Sequence, residues 1–177
     1  MKLDANKHFP NLQLRNIKDE IVSIPNEKGK FVHLQFRRFS GCPVCNLHLQ
    51  GFIRRKYELD MANIQEIVFF HSSKEVLLEY QGQFPFDIIG DPQKKFYKQF
   101  GVEQSIWALL NLKAIWVAIK GNLKKNKPKV NMEGGILGLP ADFLIAPDGK
   151  ILAAHYGKHA ADQWTMEELL SKTNASH

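Results

Sequence analysis

The chain of 177 residues has two cysteines, and both lie in the motif CPVC at residues 42–45. Two thiols three positions apart stand about one helical turn from each other, so they can close a disulfide and open it again. Cys42 follows the apolar stretch 31–39, where a strand pattern gives way to a helical one. Free amides at a helix start stabilise a thiolate. The motif therefore predicts redox chemistry, with Cys42 as the attacking thiolate and Cys45 as the resolving thiol.

The same cysteines have two other interpretations. They can pack as small apolar residues, or they can bind a metal with His48 and His71 as further ligands, in a redox sensor or metallochaperone without turnover. Structural zinc sites usually draw a second Cys or His pair, and the chain has no second CxxC motif. Asn46 directly after Cys45 also rules out the CxxCH haem pattern. The sequence favours redox use and predicts neither a metal nor another cofactor.

Composition limits the class of protein. With 44% apolar residues, the chain can bury one core, which predicts a single domain over residues 1–177. The first residues lack the apolar run of a signal peptide, and no stretch reaches the roughly 20 apolar residues of a membrane span. We therefore expect a cytoplasmic protein, where a lone cysteine pair serves redox chemistry or metal binding more often than structure. The net charge of +6 comes without a nucleic-acid reader motif, so no nucleic-acid partner is expected.

Strand and helix patterns alternate in the first 100 residues, which is typical of a largely parallel sheet. A hairpin is predicted between residues 21–24 and 31–39. Further strands are predicted at 64–70 and 86–90, and helices at 43–62, 72–80 and 91–100. Ser72 and Glu75 have capping-box spacing, and Asp91 precedes a first-turn proline.

The last third has a different order. Residues 142–146 and 151–156 flank a turn and predict an antiparallel hairpin. A final helix is predicted from Thr165, whose spacing to Glu168 is again that of a capping box.

Two segments together carry a family resemblance. These are LPADFLIAPDGKI at residues 139–151 and FSGCPVC at residues 39–45. With the order of the elements, they resemble the thioredoxin superfamily, and within it the peroxiredoxin-like branch of alkyl hydroperoxide reductase and thiol-specific antioxidant (AhpC/TSA) proteins. The resemblance spans about residues 12–172. It implies a thioredoxin-like α/β fold with a central mixed sheet flanked by helices, a cis-proline at Pro140 that faces the cysteines, and a helical insertion at about residues 102–134 before the cis-proline strand.

The resemblance also implies a function. It predicts a thiol-dependent oxidoreductase of peroxiredoxin-like type in an antioxidant or disulfide-reductase role. Its partners would be protein or small-molecule thiols and disulfides, peroxides, and an external thiol reductant. The residues expected at the substrate groove are Ser40, Gly41, Pro43 and Pro140.

The site departs from a typical peroxiredoxin, which carries proline and threonine seven and three residues before its reactive cysteine. Here those positions hold Gln35 and Phe39, and no arginine follows Arg55. Such groups orient a peroxide and stabilise the charge that develops on oxygen. Ser40, Arg37 and Arg38 remain as substitutes. We therefore expect dithiol–disulfide exchange, with a thiol peroxidase that passes through a Cys42 sulfenic acid as the alternative.

His71 follows the strand at 64–70 as Cys42 follows the strand at 31–39, so the two are expected at one edge of the sheet. His71 can transfer protons for a thiol, although a capping or solvated histidine is the favoured interpretation.

The segment Ser105 to Ile119 is apolar nearly all round as a helix, and lysines are frequent from there to Lys129. A helix of this kind is usually buried. We expect it to pack against the domain or a twin subunit in a homodimer, in preference to a membrane surface.

Overall fold

The computed structural model describes residues 2–102, 135 and 138–175. Its strands are β1 (Leu12–Arg15), β2 (Ile21–Ile24), β3 (Phe31–Phe36), β4 (Ile64–Phe70), β5 (Asp87–Gly90), β6 (Ala141–Ile145) and β7 (Ile151–Tyr156). Its helices are α1 (Pro43–Arg54), α2 (Lys56–Met61), α3 (Lys74–Gln81), α4 (Lys95–Gln99) and α5 (Met166–Asn174).

The main sheet has the order β5-β4-β3-β6-β7. β3, β4 and β5 are parallel, whereas β6 is antiparallel to β3 and β7 is antiparallel to β6. The crossovers between the parallel strands contain helices, as βαβ units require. This mixed sheet flanked by helices confirms the predicted thioredoxin-like α/β fold.

The hairpin predicted between residues 21–24 and 31–39 is wrong. β2 pairs with β1 in a separate two-stranded sheet, with Leu14 opposite Val22. β3 has no free edge for β2, because β4 occupies one side and β6 the other. The alternating pattern of β3 belongs to a central strand.

Apolar side chains cover both faces of the main sheet. On one face, Val32, Leu34 and Phe36 of β3 belong to a cluster that includes Tyr97 and Phe100 at α4. The opposite cluster contains buried residues of α1 and α5, among them Leu49, Phe52 and Leu169, together with both cysteines. β3 is therefore buried on both faces, and its polar residues must find partners inside the protein.

The predicted helix 43–62 is divided in two. α1 begins at Pro43, where a missing amide costs little, and ends at Arg54. Arg55 is its C-cap residue, and the Arg55 amide donates to the carbonyls of Phe52 and Ile53. α2 follows directly and ends at Met61, with Ala62 as its C-cap residue.

Of the three helix N-caps predicted from the sequence, the structure confirms one. The box at α5 is confirmed, since Thr165 accepts from the Glu168 amide and the Glu168 side chain accepts from Thr165. The box predicted from Ser72 is wrong, because α3 follows Ser73 as its N-cap. Asp91 accepts from the amides of residues 95 and 96, so its helix, α4, begins later than predicted.

The insertion predicted at about residues 102–134, including the segment Ser105–Ile119 and Lys129, lies outside the described residues except for its first position. In the part of the chain that is described, no helix is both long and apolar enough to cross a membrane.

Candidate active site

Cys42 lies at the point where the loop after β3 becomes α1. It is the N-cap residue of α1, and its sulfur accepts a hydrogen bond from the Cys45 amide at 3.4 Å. Its own amide donates to the Phe39 carbonyl at 3.0 Å, which closes the turn before the helix. Cys42 therefore occupies the helix start that the sequence predicts.

The two thiols are in direct contact. Both cysteines are free and fully buried, and their sulfur atoms lie 2.7 Å apart, with Cys45 donating to Cys42. The Cys42 sulfur thus receives two hydrogen bonds from Cys45, one from the thiol and one from the amide. Hydrogen bonds of this kind stabilise a thiolate at Cys42.

The surroundings move the two thiol pKa values in opposite directions. Burial opposes charge on Cys42, but the Cys45 thiol, the Arg38 guanidinium and nearby amides outweigh it and lower the pKa to about 7. Burial raises the pKa of Cys45 well above its usual range, and the charge on Cys42 raises it further. Cys42 is the acidic thiol of the pair.

This asymmetry predicts different reactivity. Only the thiolate reacts, so the alkylation rate of Cys42 should rise with pH through about 7, whereas Cys45 should react much more slowly across neutral pH. Since both sulfurs are buried, the reagent must enter by local opening of the structure. Local opening multiplies the rate at every pH by the same factor, so the pH at which the rate is half-maximal does not change. Iodoacetamide labelling followed by peptide mass spectrometry measures both sites. Equal rates at the two thiols would contradict the assignment.

The two arginines before the motif have different surroundings. The Arg37 guanidinium is held by the Asp142 carboxylate and by the carbonyls of Phe36 and Ala141. The Arg38 guanidinium is close enough to both cysteines to favour their thiolates, and it lies 5.4 Å from the centre of the Phe39 ring. Of the two arginines, Arg38 is therefore the one whose charge acts on the sulfurs.

His71 lies near the loop that precedes Cys42. Its amide donates to the Arg38 carbonyl at 3.3 Å, and its ring centre is 6.4 Å from that of Phe39. A methyl group on Gly138 would come within 2.9 Å of the His71 ring nitrogen Nε2. The chain entering β6 therefore passes close to the His71 ring, and a larger residue at position 138 would require that ring to shift.

Pro140 corrects one expectation. Among the described residues the cis peptide bond is Ile24–Pro25, so the Leu139–Pro140 bond is trans. The trans form is favoured by about 0.5–1 kcal/mol for bonds to proline, and the Leu139–Pro140 bond follows that preference. Pro140 is buried and accepts from the Gly157 amide at 2.9 Å. It lies one residue beyond the Phe36–Ala141 pair, at the edge where the loop to Cys42 begins.

The other predicted groove residues adjoin the cysteines in the chain. Ser40 and Gly41 are buried in the turn before Cys42, and Pro43 is half-buried in the first turn of α1.

A buried polar cluster beneath α1 was not predicted. His33 bonds Glu66 at 2.8 Å and lies 3.3 Å from Asp142, and its ring stacks on Phe52 and Trp164. Gln35 donates to Glu66. The Arg37 guanidinium lies between Asp142 and the Nε2 atom of His48, the latter at 3.5 Å.

Three titratable side chains of the cluster have shifted pKa values. Burial disfavours the imidazolium of His33, but Glu66 and Asp142 outweigh it and raise the pKa to about 9. Burial and the Arg37 charge lower the pKa of His48 to about 3. Burial opposes ionisation of Asp142, yet Arg37 and His33 hold its pKa below its ordinary value. At neutral pH the His33 imidazolium and the Arg37 guanidinium thus both face the Asp142 carboxylate, while His48 is neutral.

The arrangement of the described side chains does not support the metal-binding interpretation. Within the described ranges, no three His, Cys, Asp or Glu side chains gather in a way that could hold a metal ion. His48 points its Nε2 atom towards Arg37, and His71 packs against aromatic rings.

Comparisons with known proteins support the fold and give the family. A family model described as AhpC/TSA antioxidant enzyme matches residues 51–159, more than half of the chain, and begins after the CPVC motif. A search of curated proteins finds no match.

Solved structures resemble the chain along nearly its whole length. Peroxidoxin BcpB from Mycobacterium tuberculosis is 13% identical, with 99% of each chain covered and a TM-score of 0.71. AhpC from Mycobacterium bovis is 14% identical, with 99% of this chain and 93% of that chain covered and a TM-score of 0.68. StoA from Bacillus subtilis is 18% identical, with 93% and 96% covered and a TM-score of 0.58. At these identities the likeness is one of fold, whereas the family model concerns the sequence itself. The chain therefore belongs to the AhpC/TSA antioxidant enzyme family and is a thiol-dependent oxidoreductase of thioredoxin-like fold.

Proposed function

We propose that this chain performs thiol–disulfide exchange through Cys42 and Cys45, with Cys42 attacking and Cys45 resolving. The observation that carries the proposal is the contact between the two thiols, 2.7 Å apart at the start of α1. The acidic Cys42 supplies a thiolate near neutral pH, and the less acidic Cys45 keeps its proton until it is needed.

The reaction balances without a cofactor. The Cys42 thiolate attacks one sulfur of a substrate disulfide, forms a mixed disulfide and releases the other sulfur as a thiolate, which takes up a proton. Cys45 then loses its proton and attacks the Cys42 sulfur, which releases the second substrate thiol. The substrate disulfide gains two electrons and two protons, and the enzyme leaves as the Cys42–Cys45 disulfide. An external thiol reductant returns it to the dithiol.

The acidity of Cys42 and its place beside Arg38 also support a peroxidase. In that reaction the Cys42 thiolate attacks one oxygen of a peroxide and the O–O bond breaks. The sulfur becomes a sulfenic acid, and the leaving oxygen takes up a proton and departs as an alcohol or water. Cys45 condenses with the sulfenic acid to form the disulfide and water. Arg38 is the cation near the sulfurs, whereas Gln35 and Phe39 offer no familiar peroxide donors, since Gln35 bonds Glu66 and Phe39 is apolar.

We propose that the substrates are protein or small-molecule disulfides, with peroxides as the alternative, and that the enzyme works in a reducing compartment such as the cytoplasm. A reducing compartment would keep the pair as a dithiol ready for attack.

One assay separates the two reactions. The reduced protein is mixed separately with hydrogen peroxide, an organic hydroperoxide and a protein disulfide, and the loss of free thiols is timed. We expect the ratio of the disulfide rate to the peroxide rate to be higher than in a standard peroxiredoxin, because the residues that polarise a peroxide there are replaced in this chain. Removing an oxyanion donor typically costs about 10²–10³ in rate, so the peroxide rate should fall short by a comparable factor. A peroxide rate equal to that of an efficient peroxiredoxin would make the peroxidase the correct function.

A further inference from the structure

The backbone of Ser40, two residues before Cys42, is held by side chains from three elements. Its amide donates to the Ser72 hydroxyl at 3.0 Å. Its carbonyl accepts from the Asn46 and Gln81 amides, each at 2.8 Å. Gln81 also donates to the Asn46 side chain at 2.9 Å. We call Asn46, Ser72 and Gln81 the Ser40 clamp.

The members of the clamp come from distant parts of the fold. Asn46 lies in α1, Ser72 in the loop after β4, and Gln81 is the last residue of α3. Ser72 and Gln81 are fully buried, as is Ser40 itself. An apolar residue at the buried end of α3 would avoid the cost of burying an amide, so the hydrogen bonds to Ser40 account for glutamine there.

The clamp reaches Cys42 through one tight turn. Cys42 donates its amide to the Phe39 carbonyl at 3.0 Å, so Ser40 lies inside the turn that Cys42 closes. The same turn leads into α1, where the Cys45 amide and thiol reach the Cys42 sulfur. A shift of Ser40 would move the Cys42 sulfur away from both donors.

We propose that Asn46, Ser72 and Gln81 are positioning residues that hold Cys42 at the N-cap of α1 and thereby set its reactivity. The inference rests on the proposed function, because it concerns the thiol that attacks. None of the three touches either sulfur in the contacts above. They act on Cys42 through the Ser40 backbone.

The groups that govern the charge of Cys42 are separate from the clamp. Among the described residues they are the Cys45 thiol, the Arg38 guanidinium and the first amides of α1. Two further titratable side chains nearby are His71 and Tyr97, whose rings pack together. Neutral substitutions in the clamp remove none of these groups. A changed titration of Cys42 would therefore come from its displacement.

The test is the pH profile of Cys42 alkylation in Gln81→Met and Ser72→Ala. Iodoacetamide labels the reduced protein at a series of pH values, and peptide mass spectrometry reports Cys42. We expect the midpoint to rise by about one pH unit in both variants, towards the unperturbed thiol value of about 8.5. Easier access to the buried sulfur would raise the alkylation rate by the same factor at every pH and leave the midpoint of the profile unchanged. Looser packing alone would therefore not shift the midpoint.

Thr173→Val is the matched control. Thr173 is buried in α5 and donates to the Leu169 carbonyl, so its loss removes a comparable hydrogen bond away from the cysteines. Its midpoint should equal that of the wild type. Unchanged midpoints in Ser72→Ala and in folded Gln81→Met would contradict the proposal that the clamp positions Cys42. Should Gln81→Met fail to fold, Ser72→Ala, which loses a single oxygen, decides alone. A wild-type midpoint near 8.5 would instead contradict the proposed function.

Discussion

Replacement of Cys42 by serine is expected to reduce disulfide reduction to the uncatalysed background, while replacement of Cys45 traps a mixed disulfide at Cys42. Only the attacking sulfur bonds the substrate before resolution, so the first variant has no entry into the reaction. In the second variant, the thiol that lies 2.7 Å from Cys42 is gone, and the mixed disulfide has no internal sulfur to release it.

Both variants are incubated in reduced form with oxidised glutathione, and intact-mass spectrometry counts the glutathione bound to the protein. We expect one glutathione on Cys45→Ser, none on Cys42→Ser, and an internal disulfide in the wild type. Turnover of Cys45→Ser at the wild-type rate would remove Cys45 from the mechanism and make Cys42 a one-cysteine catalyst. Circular dichroism of both variants controls for folding.

Replacement of Asp142 by alanine is expected to cost about 3–5 kcal/mol of unfolding free energy, the typical cost of breaking a buried ion pair. Asp142 accepts from the Arg37 guanidinium and faces His33, and all three are fully buried. His33 can lose its proton when the carboxylate is removed, but arginine cannot. The cost therefore arises mainly from Arg37, left as a buried cation.

Urea unfolding of Asp142→Ala measures this cost, and Asp60→Ala serves as the control. Asp60 pairs with Lys56 at 2.6 Å on the exposed side of α2, where such pairs contribute about 0.3–0.5 kcal/mol. Adding Arg37→Met to Asp142→Ala should recover part of the loss, because it removes the unpaired charge. If Asp142→Ala were as mild as Asp60→Ala, the buried cluster would not stabilise the fold as described. If Asp142→Ala does not fold, Asp142→Asn, which keeps the shape, gives the measurement.

The positions of the parallel strands and the place of Cys42 were predictable from sequence because each depends on local patterns. Residues 64–70 are a compact apolar run, typical of a strand buried on both faces, and β4 spans that range. Pro43 after a cysteine marks the first turn of a helix, which is where α1 begins.

The buried cluster was missed because β3 alternates in the way that half-exposed strands do. His33, Gln35 and Arg37 alternate with apolar residues, which on its own suggests one face in water. The predicted fold could have revealed the cluster, because a central strand of a sheet with helices on both sides has no face exposed to solvent. Glu66 and Asp142 on neighbouring strands then become the partners that buried polar groups require.

The clamp depends on contacts between residues that are distant in the sequence. Ser72 and Glu75 have capping-box spacing, and nothing local shows that the Ser72 hydroxyl binds the Ser40 amide instead. The spacing of Asn46 and Gln81, 35 positions apart, carries no signal either. For Pro140, the general preference for trans proved a better guide than the family resemblance.

The central claim is that Cys42 and Cys45 form a reversible dithiol–disulfide couple, and a redox titration tests it most directly. The protein is equilibrated in glutathione buffers of graded composition, quenched with acid, alkylated, and analysed by peptide mass spectrometry. Each conversion consumes one oxidised glutathione, yields two reduced glutathiones and forms one protein disulfide. Reversal by added reductant shows that the couple is at equilibrium.

We predict a single two-electron transition in which Cys42 and Cys45 lose their free thiols together and appear as one intramolecular disulfide. The reduction should restore both thiols completely. Two thiols that remain free throughout the series, or a Cys42 that oxidises to sulfinic acid while Cys45 stays reduced, would contradict the claim.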